Sequence, residues 1–221
     1  MLEKLRGKLI VSCQALPEEP LHSSFIMGRM AVAAKQGGAA GIRAQSVEDI
    51  NEISKVVDLP IIGIIKKVYP DSPIHITASR KEVEDLLTTK CEIIALDATP
   101  RPRPNGDKLE DLLKLIHDNG RIAMADCSTY EECIEADKMG FDIVSTTLFG
   151  YTPYSVKLTG PDFETTKKIV ENVKAFVIAE GKINTPEDLK KVYEYCKVDS
   201  AVVGTAITRP QDITKTFTRV L

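Results

Sequence analysis

The sequence has no apolar run approaching the roughly 20 residues that a membrane-spanning helix needs. It has no C-x-x-C pair, no histidines at metal-ligand spacing, no low-complexity tract and no residue-level repeat. Each absence excludes something. Membrane insertion is not expected, and neither is a signal peptide, because Glu3, Lys4, Arg6 and Lys8 precede a first apolar run too short to serve as one. The five cysteines (Cys13, Cys91, Cys127, Cys133, Cys196) are odd in number and scattered, which predicts free thiols in a reducing cytoplasm. His22, His75 and His117 lie far apart, so neither a zinc site nor any other metal centre is expected. A net charge of −3 gives no general affinity for nucleic acid or a membrane surface.

What is present is alternation. In 221 residues with 43% hydrophobic content, short β-like runs alternate with longer amphipathic ones. The β-like runs are Leu9–Cys13, Ala40–Ile42, Ile61–Ile65, Ile93–Leu96, Arg121–Ala125, Ile143–Ser145, Phe176–Ala179 and Ala201–Val203. The helical runs follow them, over about 23–35, 47–57, 80–87, 108–117, 129–139, 162–173, 185–195 and 211–221. A further short strand is expected at Ile74–Ile76. Helix-start chemistry is written in several places. Ser46 stands three residues before Asp49, and Thr185-Pro186-Glu187 gives a cap, a first-turn proline and an acid in order. The strands are nearly all apolar, as parallel strands covered on both faces are. Eight β/α units with no long linker predict a single (β/α)₈ TIM barrel over residues 1–221.

The last quarter of the chain carries a second signal. Two Val/Ile-rich runs end at Gly181 and Gly204, each followed by a polar helix start, the second placed at Thr208-Arg209-Pro210. Glycine lets a ligand approach the backbone closely, and amides at helix starts favour an anion. The loops after the last two strands of such a barrel commonly hold phosphate. Gly181, Lys182, Gly204, Thr205 and Arg209 are therefore the predicted phosphate-binding residues.

The residues that close the β-like runs are Gln14, Arg43, Lys66, Asp97, Asp126, Thr146, Glu180 and Gly204. In a barrel they share the C-terminal rim, where active sites are built. Lys66 and Glu180 end the third and seventh runs, on opposite sides of the mouth. Desolvation lowers a lysine pKa and frees the amine, while a nearby carboxylate opposes that. Such a pair can exchange a proton with a carbon acid. It can equally be a rim ion pair, and Lys66 can equally form a Schiff base. At this level an epimerase, an isomerase, a phosphosugar aldolase and a non-catalytic phosphosugar sensor stay open. The sensor would need the phosphate cradle without the Lys66–Glu180 pair.

Longer stretches narrow the choice. LIVSCQALPEEPLHSSFIMGRMAVAAKQGGAAGIRA, LPIIGIIKK, EIIALDAT, MADCST, GFDIVSTTLFGYTPY, EGKINTPEDL and AVVGTAITRPQDITK together resemble the N-acylmannosamine-6-phosphate 2-epimerase family. The resemblance runs the length of the chain. It implies a cofactor-free barrel enzyme of sialic acid catabolism that interconverts N-acetylmannosamine 6-phosphate and N-acetylglucosamine 6-phosphate. It implies catalytic roles for Lys66 and Glu180, sugar contacts from Gln14, Arg43 and Asp126, and phosphate contacts from the two glycine loops and Arg209. It also implies a homodimer. The final amphipathic run, with Ile213, Phe217, Val220 and Leu221 at roughly helical spacing, is a candidate surface for it. Two positions depart from the family pattern. EGK stands where EGR is more usual, and VVGTAITRP where VVGGAITRP is. Neither change removes a backbone amide, but Lys182 offers a point charge where arginine offers a fork.

Overall fold

The computed structural model describes all residues, Met1–Leu221. Eight parallel strands, hydrogen-bonded in sequence order, close into a barrel. They are β1 (Leu9–Cys13), β2 (Gly41–Gln45), β3 (Ile61–Ile64), β4 (Ile93–Asp97), β5 (Ile122–Asp126), β6 (Ile143–Ser145), β7 (Phe176–Glu180) and β8 (Ser200–Val203). Around them run α1 (Ser24–Gln36), α2 (Val47–Val56), α3 (Arg80–Leu87), α4 (Leu109–Asp118), α5 (Tyr130–Met139), α6 (Phe163–Asn172), α7 (Pro186–Lys191), α8 (Thr205–Thr208) and α9 (Pro210–Thr218).

Helix starts follow the chemistry in the sequence. Thr129 and Thr185 each accept from the amide three residues on, and Glu132 and Asp188 complete the capping boxes. Each such cap is worth about 1 kcal/mol. Ser46 accepts from the Asp49 amide in the same way.

Period-two alternation decides what faces the axis. Ile62, Ile64, Ile93, Ala95, Met124, Ile143, Ile178 and Val202 fill the barrel interior. Their strand neighbours Ile61, Ile94, Ala123, Ala125, Val144, Val177, Ala201 and Val203 belong to the larger cluster packed under the helices. The interior set stops short of the C-terminal rim. Two residues beyond each interior apolar position come Lys66 after Ile64, Asp97 after Ala95, Asp126 after Met124 and Glu180 after Ile178. The same alternation that packs the core therefore turns these polar side chains inward. The opposite end is plugged by the turn Leu2–Lys4 and the fully buried Leu5.

Several boundaries differ from the sequence expectation. β2 starts at Gly41 and runs on through Arg43 to Gln45, so Arg43 lies within the strand rather than beyond it. Its charge hid the strand, because a lone arginine in an apolar run reads as an end. Ile74–Ile76 is not a strand. Ile76 makes one antiparallel bridge to Lys66, flanked by bonds from the Lys67 amide to His75 O (3.0 Å) and from the Thr77 amide to Ile65 O (2.8 Å). Asp97, Asp126 and Glu180 are the last residues of β4, β5 and β7, not loop residues after them. Finally, the helix start placed at Thr208-Arg209-Pro210 is preceded by a helical turn that was not expected. A one-turn α8 begins right after Gly204, and Thr208 donates to Ser12 O at 2.8 Å. α9 then starts at Pro210 with Arg209 as its flanking residue.

Candidate active site

The C-terminal mouth opens into a cavity of about 780 Å³. Lys66 and Glu180 both line it, as do Gln14, Gly181, Lys182, Gly204, Thr205 and Arg209. Of the ten residues singled out from the sequence, the structure thus brings eight to the lining of one cavity. The other two, Arg43 and Asp126, lie beneath its floor, 1% and 0% exposed.

Arg43 and Asp126 form a fork. Arg43 Nη1 donates to Asp126 Oδ1 at 3.0 Å, and Nη2 donates to Oδ2 at 2.6 Å. Nη1 also donates to Glu180 Oε2 at 2.8 Å. One guanidinium therefore holds two carboxylates from β5 and β7. Burial opposes its charge, but the two carboxylates outweigh that and raise its pKa. Removing one partner of such a buried set leaves an uncompensated charge, a loss of about 3–5 kcal/mol. Glu180 is fixed through its backbone as well. Thr146 Oγ1 donates to Glu180 O at 2.8 Å and accepts from the Glu180 amide at 3.0 Å. Thr146, expected on the rim, is thus a strap for β7.

Burial dominates the titration of both Lys66 and Glu180. It pushes the Glu180 carboxyl up to about 7, with Arg43 opposing, Asp126 adding and Lys66 opposing. It pushes the Lys66 ammonium down to about 8, helped by Arg43 and Arg209 and opposed by Glu180 and Glu19. Lys66 has no ion-pair partner of its own, because Glu180 is paired with Arg43. Both groups therefore titrate close to neutrality, as acid–base catalysis requires.

Gln14 Nε2 donates to Ser12 Oγ at 2.8 Å. Its Oε1 and the Nε of Arg43 are buried without a protein partner. One acceptor and one donor are therefore left for a bound polar molecule.

The two glycine loops form another part of the cavity lining. Gly181 has φ +97°, and Lys182, unusually for a side-chain-bearing residue, has φ +58°. The Lys182 ammonium sits 3.6 Å from the centre of the Tyr151 ring. A Cβ on Gly204 would lie 3.3 Å from Ser12 Cβ, so glycine brings the β8 end close to β1. Arg209 is not free. Its Nε and Nη2 donate to Glu19 at 2.5 and 3.0 Å, and its Nη1 donates to Thr205 Oγ1 at 3.1 Å.

Sequence reasoning gave no site role to Glu19, Tyr151 or Thr147. Thr147 alone had a usable signal, since it stands two residues beyond Ser145 and four beyond Ile143 on the inward-facing series. Glu19 and Tyr151 come from irregular loops, where no period exists to read. Asp97 is tied up locally, by the Thr99 amide and hydroxyl and by Arg101 Nη2 at 2.5 Å.

A protein-family model described as "Putative N-acetylmannosamine-6-phosphate epimerase" matches residues 27–221. The 2-epimerase of that description from Clostridium perfringens (strain SM101 / Type A) is 64% identical over 221 residues, covering 100% of both chains. Its counterpart from Clostridioides difficile (strain 630) is 61% identical, covering 100% of this chain and 99% of its own. The solved N-acetylmannosamine-6-phosphate 2-epimerase of Clostridium perfringens superposes with a TM-score of 0.98 at 64% identity, over 100% of this chain and 96% of that one. A thiamine phosphate pyrophosphorylase from Pyrococcus furiosus, at 22% identity and a TM-score of 0.65, shares the fold alone.

Proposed function

The chain belongs to the N-acetylmannosamine-6-phosphate 2-epimerase family, and on that premise we propose that it interconverts N-acetylmannosamine 6-phosphate and N-acetylglucosamine 6-phosphate by moving the C2 proton. The observation that carries this reading is the placing of Lys66 and Glu180, each titrating near neutrality, in one cavity with two glycine loops suited to an anion. The C2 proton of the open-chain sugar is adjacent to the C1 aldehyde. Its removal gives an enolate, and its return on the other face inverts C2. The reaction needs a base, an acid and stabilisation of a developing oxyanion. Lys66 and Glu180 serve as base and acid. Arg43 and Asp126 act from beneath the floor by fixing the position and charge of Glu180. Gln14 Oε1 takes a donor from the sugar. Gly181, Lys182, Gly204, Thr205 and Arg209 hold the phosphate, which orients the reacting end.

Incubation with N-acetylmannosamine 6-phosphate, followed by NMR of the products, tests the activity. The expected product is N-acetylglucosamine 6-phosphate, at an undiminished rate after dialysis against EDTA. Formation of N-acetylaminoacetaldehyde and a four-carbon aldose phosphate by cleavage of C2–C3, or a rate lost with EDTA and restored by Mg²⁺ or Zn²⁺, would count against it.

Assembly and location complete the proposal. α9 buries none of its residues, and Phe217 is 71% exposed. An apolar helix face left in water is an interaction surface, and we assign it to a second copy of the chain. Light scattering at micromolar concentration should give twice the mass of one chain, and a single-chain mass would refute the dimer. No helix is long and apolar enough to cross a membrane. The five free, buried cysteines fit the cytoplasm.

A further inference from the structure

We propose that Thr147 is a positioning residue for proton transfer, setting the state of Glu180 through Asp126 and Arg43. The inference rests on the reading of Lys66 and Glu180 given above.

Thr147 follows β6 and lines the cavity beside Glu180. Its hydroxyl donates to Asp126 Oδ1 at 2.7 Å and stands 2.8 Å from the Ser145 hydroxyl. Asp126 is fully buried and has three donors: Arg43 Nη1, Arg43 Nη2 and Thr147. Two of these converge on Oδ1. Arg43 Nη1 has two hydrogens, one for Asp126 Oδ1 and one for Glu180 Oε2. The sharing is possible because Thr147 carries part of the charge on Oδ1. A continuous chain thus runs Ser145, Thr147, Asp126, Arg43, Glu180, and joins β6, β5, β2 and β7.

Without the hydroxyl, Asp126 Oδ1 depends on Arg43 alone. The guanidinium is drawn toward Asp126, and Glu180 loses part of its only charge-assisted donor. The ionised form of Glu180 is then less favoured, and its proton is held more tightly. The charged groups around Glu180 are Arg43 from β2, Asp126 from β5 and Lys66 from the segment after β3, and the Thr147 hydroxyl also favours its ionised form. Arg43 compensates the two carboxylates, Lys66 is untouched by the change, and Asp126 keeps its two bonds from Arg43. The net direction is therefore upward for Glu180. A purely structural threonine would instead move stability and leave the pH profile in place.

The test is Thr147→Val, close in size and lacking the hydroxyl, with Thr147→Ser as the restoring variant. The valine variant should lose about tenfold in kcat with KM within about twofold, since one hydrogen bond to a charged group is lost where it matters only to proton transfer. The acidic limb of its kcat/KM profile should move to higher pH. The serine variant should recover both. If valine is not tolerated in folding, Thr147→Ala carries the same expectations. Unchanged kcat and an unmoved acidic limb, alongside a Glu180→Gln variant that is inactive, would overturn the role of Thr147 alone. Near-normal turnover by Glu180→Gln would overturn the parent reading and this inference with it.

Discussion

Unphosphorylated N-acetylmannosamine will be turned over with a kcat/KM about a thousandfold below that of its 6-phosphate. The loss follows from what the second end of the cavity offers. Gly181, Gly204 and Thr205 line it, and Lys182 and Arg209 add two positive charges to the same lining. A hydrogen bond to a charged group is worth about 1.5–3 kcal/mol, so losing two or three gives about 4 kcal/mol and that factor. Donors left unpaired by a hydroxyl in place of the phosphate add to the penalty. The effect should fall on kcat as well as KM, because the phosphate's binding energy orients C2 toward Lys66 and Glu180. The pairing of Arg209 with Glu19 sharpens the expectation. Glu19 occupies Nε and Nη2, so a phosphate gains from Arg209 chiefly through Nη1, now on Thr205. Arg209→Lys should therefore cost clearly less than loss of the phosphate itself. Comparable kcat/KM for the two sugars, measured with one coupled assay, would remove the anion site from these loops.

The fold was legible because its signal is repeated. Any one β/α unit is ambiguous, but eight in series with a glycine-ended seventh and eighth admit few other arrangements. Rim residues were legible for a related reason. A charged residue after four or five apolar ones marks where the interior packing ends, as at Lys66, Asp97 and Glu180. Arg43 shows the limit of that rule. It lies in the middle of β2, paired in register with Ile62, because two carboxylates from strands far off in sequence compensate it. No local pattern reports a partner 83 or 137 positions away. The same holds for the tie between Glu19 and Arg209, 190 positions apart. Sequence also did not separate the roles of the neighbours Thr146 and Thr147. A strand's last residues alternate in and out, so one of the pair straps β7 while the other reaches Asp126. Choosing between them needs the register of the whole sheet.

Lys66→Ala will abolish both epimerisation and exchange of the C2 proton, with a loss on the order of 10⁴ in kcat, the upper range of a general acid–base contribution. Glu180→Gln keeps the shape beside Arg43 but cannot take up a proton, and should lower kcat by about 10³ with a smaller change in KM. Turnover of wild-type enzyme in D₂O should place deuterium at C2 of the product, since the proton passes through exchangeable groups. The pH dependence has a defined sign. One group must be protonated and the other not. Below the Glu180 value of about 7 both carry protons and no base remains. Above the Lys66 value of about 8 neither does and no acid remains. kcat/KM should therefore be bell-shaped with its maximum between these values, whichever of the two is base in a given direction. The substrate's own phosphate, with a second pKa near 6, adds only to the far acidic side. Lys66→Ala is expected to fold, because Lys66 bears no ion pair that its loss would break, and Glu180 keeps its bond to Arg43. A Lys66→Ala variant that folds normally and epimerises near the wild-type rate would end this mechanism. Asp126 would then be the first carboxylate to examine, through Thr147, and Asp97 the second, through its bond to Arg101.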